Sequence, residues 1–505
     1  MTTSSPVEKA GGATATYVDK RIGSNTFLSR SLGKVFPDHW SALIFVAAMA
    51  VHMFRVFFTG AFRKPREFNW VIGVVLTMLA FGAGFSGYSL PDDLLSGTGL
   101  QIARGMVQAT PVVGTWMAFF MFGGEFPGTS FISMLYGVHI LLIPGLILAL
   151  ITVHLMMVWV QKHTQFPGPG RTNDNVVGYP LMPIYMAKAG GFFFVVFGII
   201  AFVGGLVTIN PIWIFGPFTP DQVSAGSQPD WYIGWLDGAL RIMPNWETAI
   251  FGITLSWNIL IPAMIMPGII FTGLALYPFI EAWVTGDKRE HNLLDRPRNA
   301  PIRTAFGMMS ITFYCLLWVG GANDIIATAF DLSINSITWF LRVTIFVLPP
   351  IAFVATKRVC LGLQRRDRDK LLHGYESGRI LRLPHGEFIE VHQPLPAKDL
   401  AVITSKTDIT PLPMPEKTDA DGVRNKHYPI GALRHKLSNF FYADNVPLPT
   451  AAEIEQGQHH ASHDAAVEAP LHEYEDQDEL RKFHGGVLHH PGMADTNVEQ
   501  LEDRH

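Results

Sequence analysis

Apolar residues in this chain come in long unbroken runs divided by short polar loops, a pattern that predicts membrane-crossing helices rather than the alternation of a soluble fold. Seven runs are long enough to cross ~30 Å of hydrocarbon. They lie near 41–59, 69–90, 131–161, 186–208, 249–279, 304–321 and 337–356. A further apolar stretch, 110–122, follows a Gly- and Pro-rich region and reads as an interfacial or loop helix. Residues 1–40 are polar and lack the apolar core of a cleavable signal. From about Leu361 the chain turns charged and Pro-rich, with one foldable stretch, "RILRLPHGEFIEVHQPL", ending at Leu395. The organisation predicted is a polar segment over 1–40, a transmembrane bundle over 41–359 and a cytoplasmic extension over 360–505, disordered beyond about 396.

Composition strengthens the membrane reading: of 505 residues 49% are hydrophobic and only 16% charged. The net charge of −4 excludes nothing by itself and gives no sign of a nucleic-acid partner, but the placement of the positive charges is informative. Arg63, Lys64 and Arg66 occupy the 60–68 loop, Lys162, Arg171 and Lys188 the 162–188 loop, and five Lys or Arg the 280–303 loop. The alternate loops hold only Arg104 and Arg241, so the three basic loops are predicted to be cytoplasmic. Cys315 and Cys360 form no CxxCH, which argues against a covalently attached haem and against a disulfide framework. Eight histidines crowd the last fifty residues, where a solvated tail is the simpler reading than a metal tract.

The ionisable residues inside the apolar runs are the candidate chemistry. His139 and His154 share the 131–161 run, fifteen residues apart, and His52 lies in the 41–59 run. Fifteen residues are ~22 Å of helix and leave the two rings within ~60° of each other. A lone histidine in a soluble core is commonly just a hydrogen-bonded residue, whereas within a membrane its cost makes it a functional candidate. Imidazoles facing each other across a bundle suit a bis-histidine haem, and two such pairs would stack two haems at two depths. Loop charges place His139 near the outer face and His52 and His154 near the inner one.

The strings "AVHMFRVFFTGAFRKPRE", "GYSLPDDLLSGTG", "VHILLIPG", "QKHTQFPGPGRT" and "SQPDWY", in this order over roughly 34–395, resemble cytochrome b of the actinobacterial quinol:cytochrome c reductase, the bc-type complex. The resemblance implies an all-α integral membrane protein, a haem-binding bundle with eight spans in the family and about seven here, and a largely disordered C-terminal tail. It implies haem b as cofactor and menaquinol as substrate. The partners it implies are a Rieske iron–sulphur protein, a cytochrome c subunit and a terminal oxidase supercomplex, in a homodimeric complex of the cell membrane. Carried over by position, His52 and His154 hold the inner haem and His139 the outer one. Arg55 pairs with a propionate, and Gly73 and Gly87 let the macrocycles approach the backbone. An outer ligand is expected fourteen residues before His52, where this chain has Asp38, beside His39. The family also leads one to expect a further helix between "KVFPDHWS" and the second helix, so an internal deletion is expected with its seam near 38–41.

Quinol oxidation needs a proton acceptor beside apolar, aromatic walls. Pro229, Asp230, Trp231 and Tyr232 supply these groups and resemble the family's PEWY quinol-site motif, with Asp230 and Tyr232 in the catalytic roles. Composition alone would read them as a Pro-Asp turn with interfacial aromatics. For the inner quinone site, Lys188 and His163 are weaker candidates. Three other readings stay open: a mono-haem or inactive remnant of the same subunit, a di-haem anchor of a dehydrogenase, and a secondary transporter.

Overall fold

A computed structural model describes residues 40–466, apart from 127, 129, 179, 207–214, 223–227, 383, 408 and 419–420. Seven of its helices are long and apolar enough to cross a membrane. The first two are α1 (Trp40–Phe58) and α2 (Glu67–Ser89), followed by the short α3 (Leu94–Gln108) and α4 (Gly114–Met121). Next come the spans α5 (Phe131–Gln161) and α6 (Met186–Leu206), and then α7 (Trp231–Ile242), which is not a span. The remaining spans are α8 (Trp257–Thr285), α9 (Pro301–Gly321) and α11 (Ile334–His373), with the short α10 (Asn323–Ala329) between the last two. The all-α bundle expected from the hydropathy pattern is therefore present, and the 110–122 stretch is the short α4. Asp38, His39 and the seam expected near them fall outside the described residues, except for Trp40 and Ser41.

Two boundaries differ from the sequence expectation. The span expected over 249–279 starts at Trp257, because Glu247–Ile250 and Ile253–Ser256 pair as an antiparallel hairpin. Its turn sits at Phe251 and Gly252, both at positive φ, so helix cannot continue through them. The last span runs beyond 356 to His373, and its 40 residues measure about 60 Å, well over one bilayer thickness.

α2 is the hub of the first half of the bundle, packing against α3, α5 and α8. In the second half the core comprises Trp235, Ala239 and Ile242 of α7, Leu317 of α9, and Ile337 and Leu341 of α11. α7 lies almost backbone to backbone on α9: a side chain at Gly238 would overlap the Leu317 carbonyl, and one at Gly321 would meet the Gly234 carbonyl. Small residues at the crossing let the two backbones approach closely, so van der Waals packing holds α7 on the span. Asp93 caps α3 by accepting from Ser96 N (2.8 Å) while Ser96 Oγ accepts from Asp93 N (3.2 Å).

The three basic loops meet at one end of the bundle. Arg66 is buried there and donates to the carbonyls of Gln161 (3.0 Å), Lys162 (3.1 Å) and His291 (2.7 Å) and to Asn292 Oδ1 (2.8 Å). One guanidinium thus satisfies the bare C-terminal carbonyls of α5 and ties loops 60–68, 162–178 and 286–300 together. Beside it Arg303, 3% exposed, pairs with Glu281 (2.5 Å) and Asp295 (2.8 Å), and Arg63 reaches Asp295 at 2.9 Å. Burial would raise Asp287, but Arg289 and His291 hold its carboxyl well below the usual range. At the opposite end Leu94 N donates to Gly216 O (3.0 Å) and Phe218 N to Asp92 O (3.0 Å), so loops 90–93 and 215–218 share that end.

The described chain forms two compact units, residues up to 369 with 396–449, and 370–395 with the residues from 450 on. In the first, the segment expected to lack structure beyond about 396 holds α12 (Ala397–Thr404) and α13 (Tyr428–Tyr442). It finds partners on the bundle that its composition does not advertise. Phe440 stacks on Phe353 (6.2 Å), Val446 N donates to Gln364 Oε1 (2.9 Å), and Arg434 donates to the Trp283 carbonyl. In the second unit the foldable stretch forms a hairpin, Tyr375–Arg382 with Phe388–Gln393. Packed on it, α14 (Ala451–Ala466) brings Gln458 to accept from Leu395 N (2.6 Å). The last 39 residues, with most of the histidine-rich tail, lie outside the described residues.

Arg303→Met leaves Glu281 buried without its cation, while Asp295, 28% exposed, keeps Arg63, and we expect it to destabilise the protein by about 3–5 kcal/mol. A lowered Tm of the solubilised variant checks this.

Candidate functional site

Both histidine depths are built against one face of α2. The Cβ position of Gly73 is 3.8 Å from His154 Cε1, and that of Gly87 is 2.7 Å from His139 Cε1. A side chain at Gly87 would collide with the imidazole, so glycine here creates room rather than flexibility. The two glycines are fourteen residues apart, whereas the two histidines are fifteen apart. α5 reconciles the spacings with a π turn at Val138–Leu142, which takes up one residue more than an α turn. The histidines then behave as though separated by about fourteen regular steps, in phase with the glycines.

Ser86 fixes the His139 ring: its Oγ lies 2.9 Å from His139 Nδ1 and donates its own proton to the Ala83 carbonyl at 3.0 Å. That arrangement assigns Nδ1–H as donor and leaves Nε2 with a bare lone pair, the state of a metal-ligating imidazole. His154 has a buried Nδ1 without a well-formed hydrogen bond, engaged only weakly by the Asn69 main chain, and it lies near enough to His52 to sense its charge. His52, His154 and Gly73 therefore suit a bis-histidine haem, and His139 and Gly87 suit one side of another. Arg55, one turn past His52, lies 5.9 Å from the Phe166 ring at the basic end. His163 bonds within its own loop, to the Val177 carbonyl at 3.4 Å.

At the other end of α2 lies an apolar pocket walled by Phe85 and Tyr88 of α2, Leu95, Thr98, Ile102 and Met106 of α3, and Ile233, Leu236 and Leu240 of α7. Pro229 and Asp230 enter it from the start of α7. Asp230 stands at the N-cap, its carbonyl accepting from Ile233 N (2.9 Å) and Gly234 N (3.0 Å), yet its carboxylate does not cap the helix. Oδ2 instead accepts from Tyr232 Oη at 2.6 Å, and Oδ1 is buried with no partner. Tyr232 is 1% exposed and stacks on Phe81 (5.6 Å, 23°), and its hydroxyl is held against Gly84. Trp231 meets the Tyr232 ring edge to face at 6.0 Å. The motif thus divides its labour: Asp230 faces the pocket while Tyr232 aims it from behind.

Four polar residues missed by motif reading complete this end. Arg241 Nε lies 2.8 Å from Asp237 Oδ2, off the line of a good hydrogen bond, and Arg241 Nη1 lies 2.9 Å from Asp324 Oδ1. Gln228 donates to Asp324 at 2.8 Å. Burial pushes the Asp237 carboxyl up despite Arg241, whereas at Asp324 burial is outweighed by Arg241 and the group is held low. The seven-residue spacing of Asp230 and Asp237 was visible in the sequence, but nothing there revealed that both face one pocket.

The chain was compared with known proteins. Residues 43–217 match the family model described as cytochrome b (N-terminal)/b6/petB. The cytochrome bc1 complex cytochrome b subunit of Streptomyces coelicolor is 57% identical over 420 residues, 83% of this chain and 77% of that one. This chain belongs to the cytochrome b subunits of bc1-type respiratory complexes. The corresponding subunit of Mycobacterium bovis is 48% identical to this cytochrome b over 443 residues, 87% of this chain and 77% of that one. A solved chain titled "Hyperthermophilic respiratory Complex III" overlaps more loosely, at 20% identity and a TM-score of 0.43, over 62% of this chain and 77% of that one. Haem b is the cofactor implied by membership of the family, and the histidines and glycines on α1, α2 and α5 are the residues that fit it.

Gly84→Ala puts a methyl group into the Tyr232 hydroxyl, so it must displace the group that orients Asp230. The expected cost is about 1–3 kcal/mol, read as a lowered Tm of the solubilised variant.

Proposed function

We propose that this cytochrome b oxidises menaquinol in the pocket at Asp230 and works by a Q-cycle in the cell membrane. On this reading it is the central subunit of a homodimeric menaquinol:cytochrome c reductase, beside a Rieske iron–sulphur protein and a cytochrome c subunit, and joined to a terminal oxidase in a supercomplex. The observation that carries the reading is the Asp230 carboxylate. One of its oxygens is fixed by Tyr232 and the other lies unpartnered among apolar walls.

A quinol ring is flat and apolar with a hydroxyl at each end, so it matches a slot of aromatic and aliphatic side chains with one convergent acceptor. Phe85, Leu95, Pro229 and Ile233 line the pocket around Asp230 with apolar surface, so the proton leaves the hydroxyl toward Asp230 Oδ1. Tyr232 donates to the other oxygen and keeps the carboxylate in place during the transfer. At the inner depth His52 and His154 would hold one haem with Gly73 clearing the approach and Arg55 facing a propionate. At the outer depth Ser86 presents His139 with Nε2 free, and Gly87 clears the approach. Haem b bound there would supply one-electron carriers at two depths. On this reading the inner depth and the C-terminal extension face the cytoplasm, which the basic loops support.

A second reading, one haem at the inner depth alone, has an observation in its favour: among the described residues no second histidine stands at the depth of His139. Haem b per chain, measured by pyridine haemochrome on the purified complex, separates the two. The Q-cycle reading expects two haems, with His52→Ala and His154→Ala removing the same one and His139→Ala the other, whereas a single haem in the parent supports the second reading. Asp230→Asn is expected to lower quinol:cytochrome c turnover by on the order of 10²-fold with haem content unchanged. Parental turnover would rule out the pocket as the quinol site.

A further inference from the structure

The helix α13 of the C-terminal extension is built inside out. Its polar side turns toward the protein: Ser438, fully buried, accepts from Leu412 N at 3.0 Å, and His435 Nδ1 lies 2.5 Å from the Leu412 carbonyl. Gly431 faces the same way, since a side chain there would strike Pro415. Ile430, Leu433 and Phe440 point outward and are 60%, 53% and 48% exposed. At ~100° per residue these three fall within ~80° of one another, with Leu437 between them, so they form one stripe roughly opposite Ser438. A helix of a water-soluble domain does the reverse, turning its apolar stripe to the core and its polar face to solvent. A stripe left outward calls for an apolar surrounding.

We propose that α13 lies in the surface of the lipid bilayer at the basic end of the bundle, its stripe among the acyl chains and its cations at anionic headgroups. The inference needs only the membrane setting of the family and is independent of the quinol-site reading.

The level of the helix supports this. α11 rises about 34 Å from Ile334 to Lys357, close to the hydrocarbon thickness, so Phe353 and Lys357 stand where that span leaves the lipid. α13 is fastened at this level. Phe440 stacks on Phe353 at 6.2 Å, and Lys357 lies 5.7 Å from the Phe440 ring centre and pairs with Asp444. On the other side Arg434 donates to the Trp283 carbonyl, near the end of α8, and lies 6.0 Å from the Trp283 ring centre. Ile280 and Trp283 of α8 and Ile351 and Val354 of α11 are exposed side chains of spans, which lipid covers, and the stripe of α13 adjoins them. Charge points to the same occupant. Residues 422–443 carry Arg424, Lys426, Arg434 and Lys436 and no Asp or Glu. Apolar and aromatic side chains on one face with only cations around them are the composition of a helix that lies in an anionic membrane surface. A second subunit covering the stripe would have to match its apolar side chains while following the level of the bilayer edge; lipid does both without a dedicated partner.

The test is quenching of a thiol-linked bimane on Leu433→Cys, with Cys315→Ala and Cys360→Ala in the background, in the purified holo-complex in lipid nanodiscs. Haem spectra verify assembly. Bromine on the acyl chains is expected to lower the emission at least about twofold, and iodide in the buffer to lower it little. Strong quenching by iodide means that the stripe faces water, and quenching by neither means that another subunit covers it; either result overturns the proposal. Ile430→Cys, one turn away on the same stripe, decides in the same terms if the Leu433→Cys complex does not assemble. For the headgroups, Lys436→Glu is added to the labelled chain. In discs of about one-third phosphatidylglycerol it is expected to raise iodide quenching about twofold, and in phosphatidylcholine alone to change nothing. The same response in both lipids overturns the role given to anionic headgroups.

Discussion

One face of α2 has no side chains where three functional groups need to sit. Gly73 faces His154, Gly84 faces the Tyr232 hydroxyl, and Gly87 faces His139. Eleven and fourteen steps from Gly73 return to within ~20° and ~40° of its direction, so the three form a single groove along the helix. Everything else is arranged around that groove. Phe81 and Phe85 on the flanking positions build the stack behind Tyr232 and the wall of the pocket, and Ser86 sets the tautomer of His139. Glycine weakens a helix by up to ~1 kcal/mol per residue relative to alanine. α2 offsets that loss by packing on α3, α5 and α8.

The two ends of the bundle are built on different electrostatic principles. At the basic end Arg66 and Arg303 are fully engaged, with carbonyls in one case and carboxylates in the other, and these contacts fix three loops in place. Removing one partner there is costly because the remainder stays buried and charged. At the opposite end several polar atoms are buried but incompletely paired, Asp230 Oδ1 and Asp237 Oδ2 among them. Unsatisfied acceptors lower stability, and two carboxylates with such atoms in one apolar pocket mark it as a candidate for chemistry.

What the sequence revealed depended on how strongly a residue contrasts with its surroundings. Seven spans and three intramembrane histidines stand out because lipid tolerates few polar groups, although two span boundaries and the histidine register needed the fold. Asp230 was legible only through resemblance, since Pro-Asp beside aromatics is also an ordinary interfacial turn. The π turn in α5 was invisible: it leaves no compositional mark, and only the mismatch between histidine and glycine spacings hinted at it. Arg241 stood out only as a lone cation of an outer loop, and Asp237 and Asp324 not at all, because it is folding that brings residue 324 beside residue 241. The helices between 397 and 442 escaped for a similar reason, because Trp283, Phe353 and Gln364 supply their partners from far away in the chain.

The crossing of α7 over α9 has a mechanical consequence. Gly238 and Gly321 let main chain touch main chain, so at those two points no side chain acts as a compliant spacer, and around them Trp235, Ile242 and Leu317 pack tightly. The helix bearing both acids therefore rides on a membrane-spanning strut and cannot sink or rise on its own. The level of the pocket along the membrane normal follows how α9 is seated in the bilayer. A thicker or thinner membrane would shift the floor of the reaction site bodily, acids and walls together, and leave its internal geometry intact.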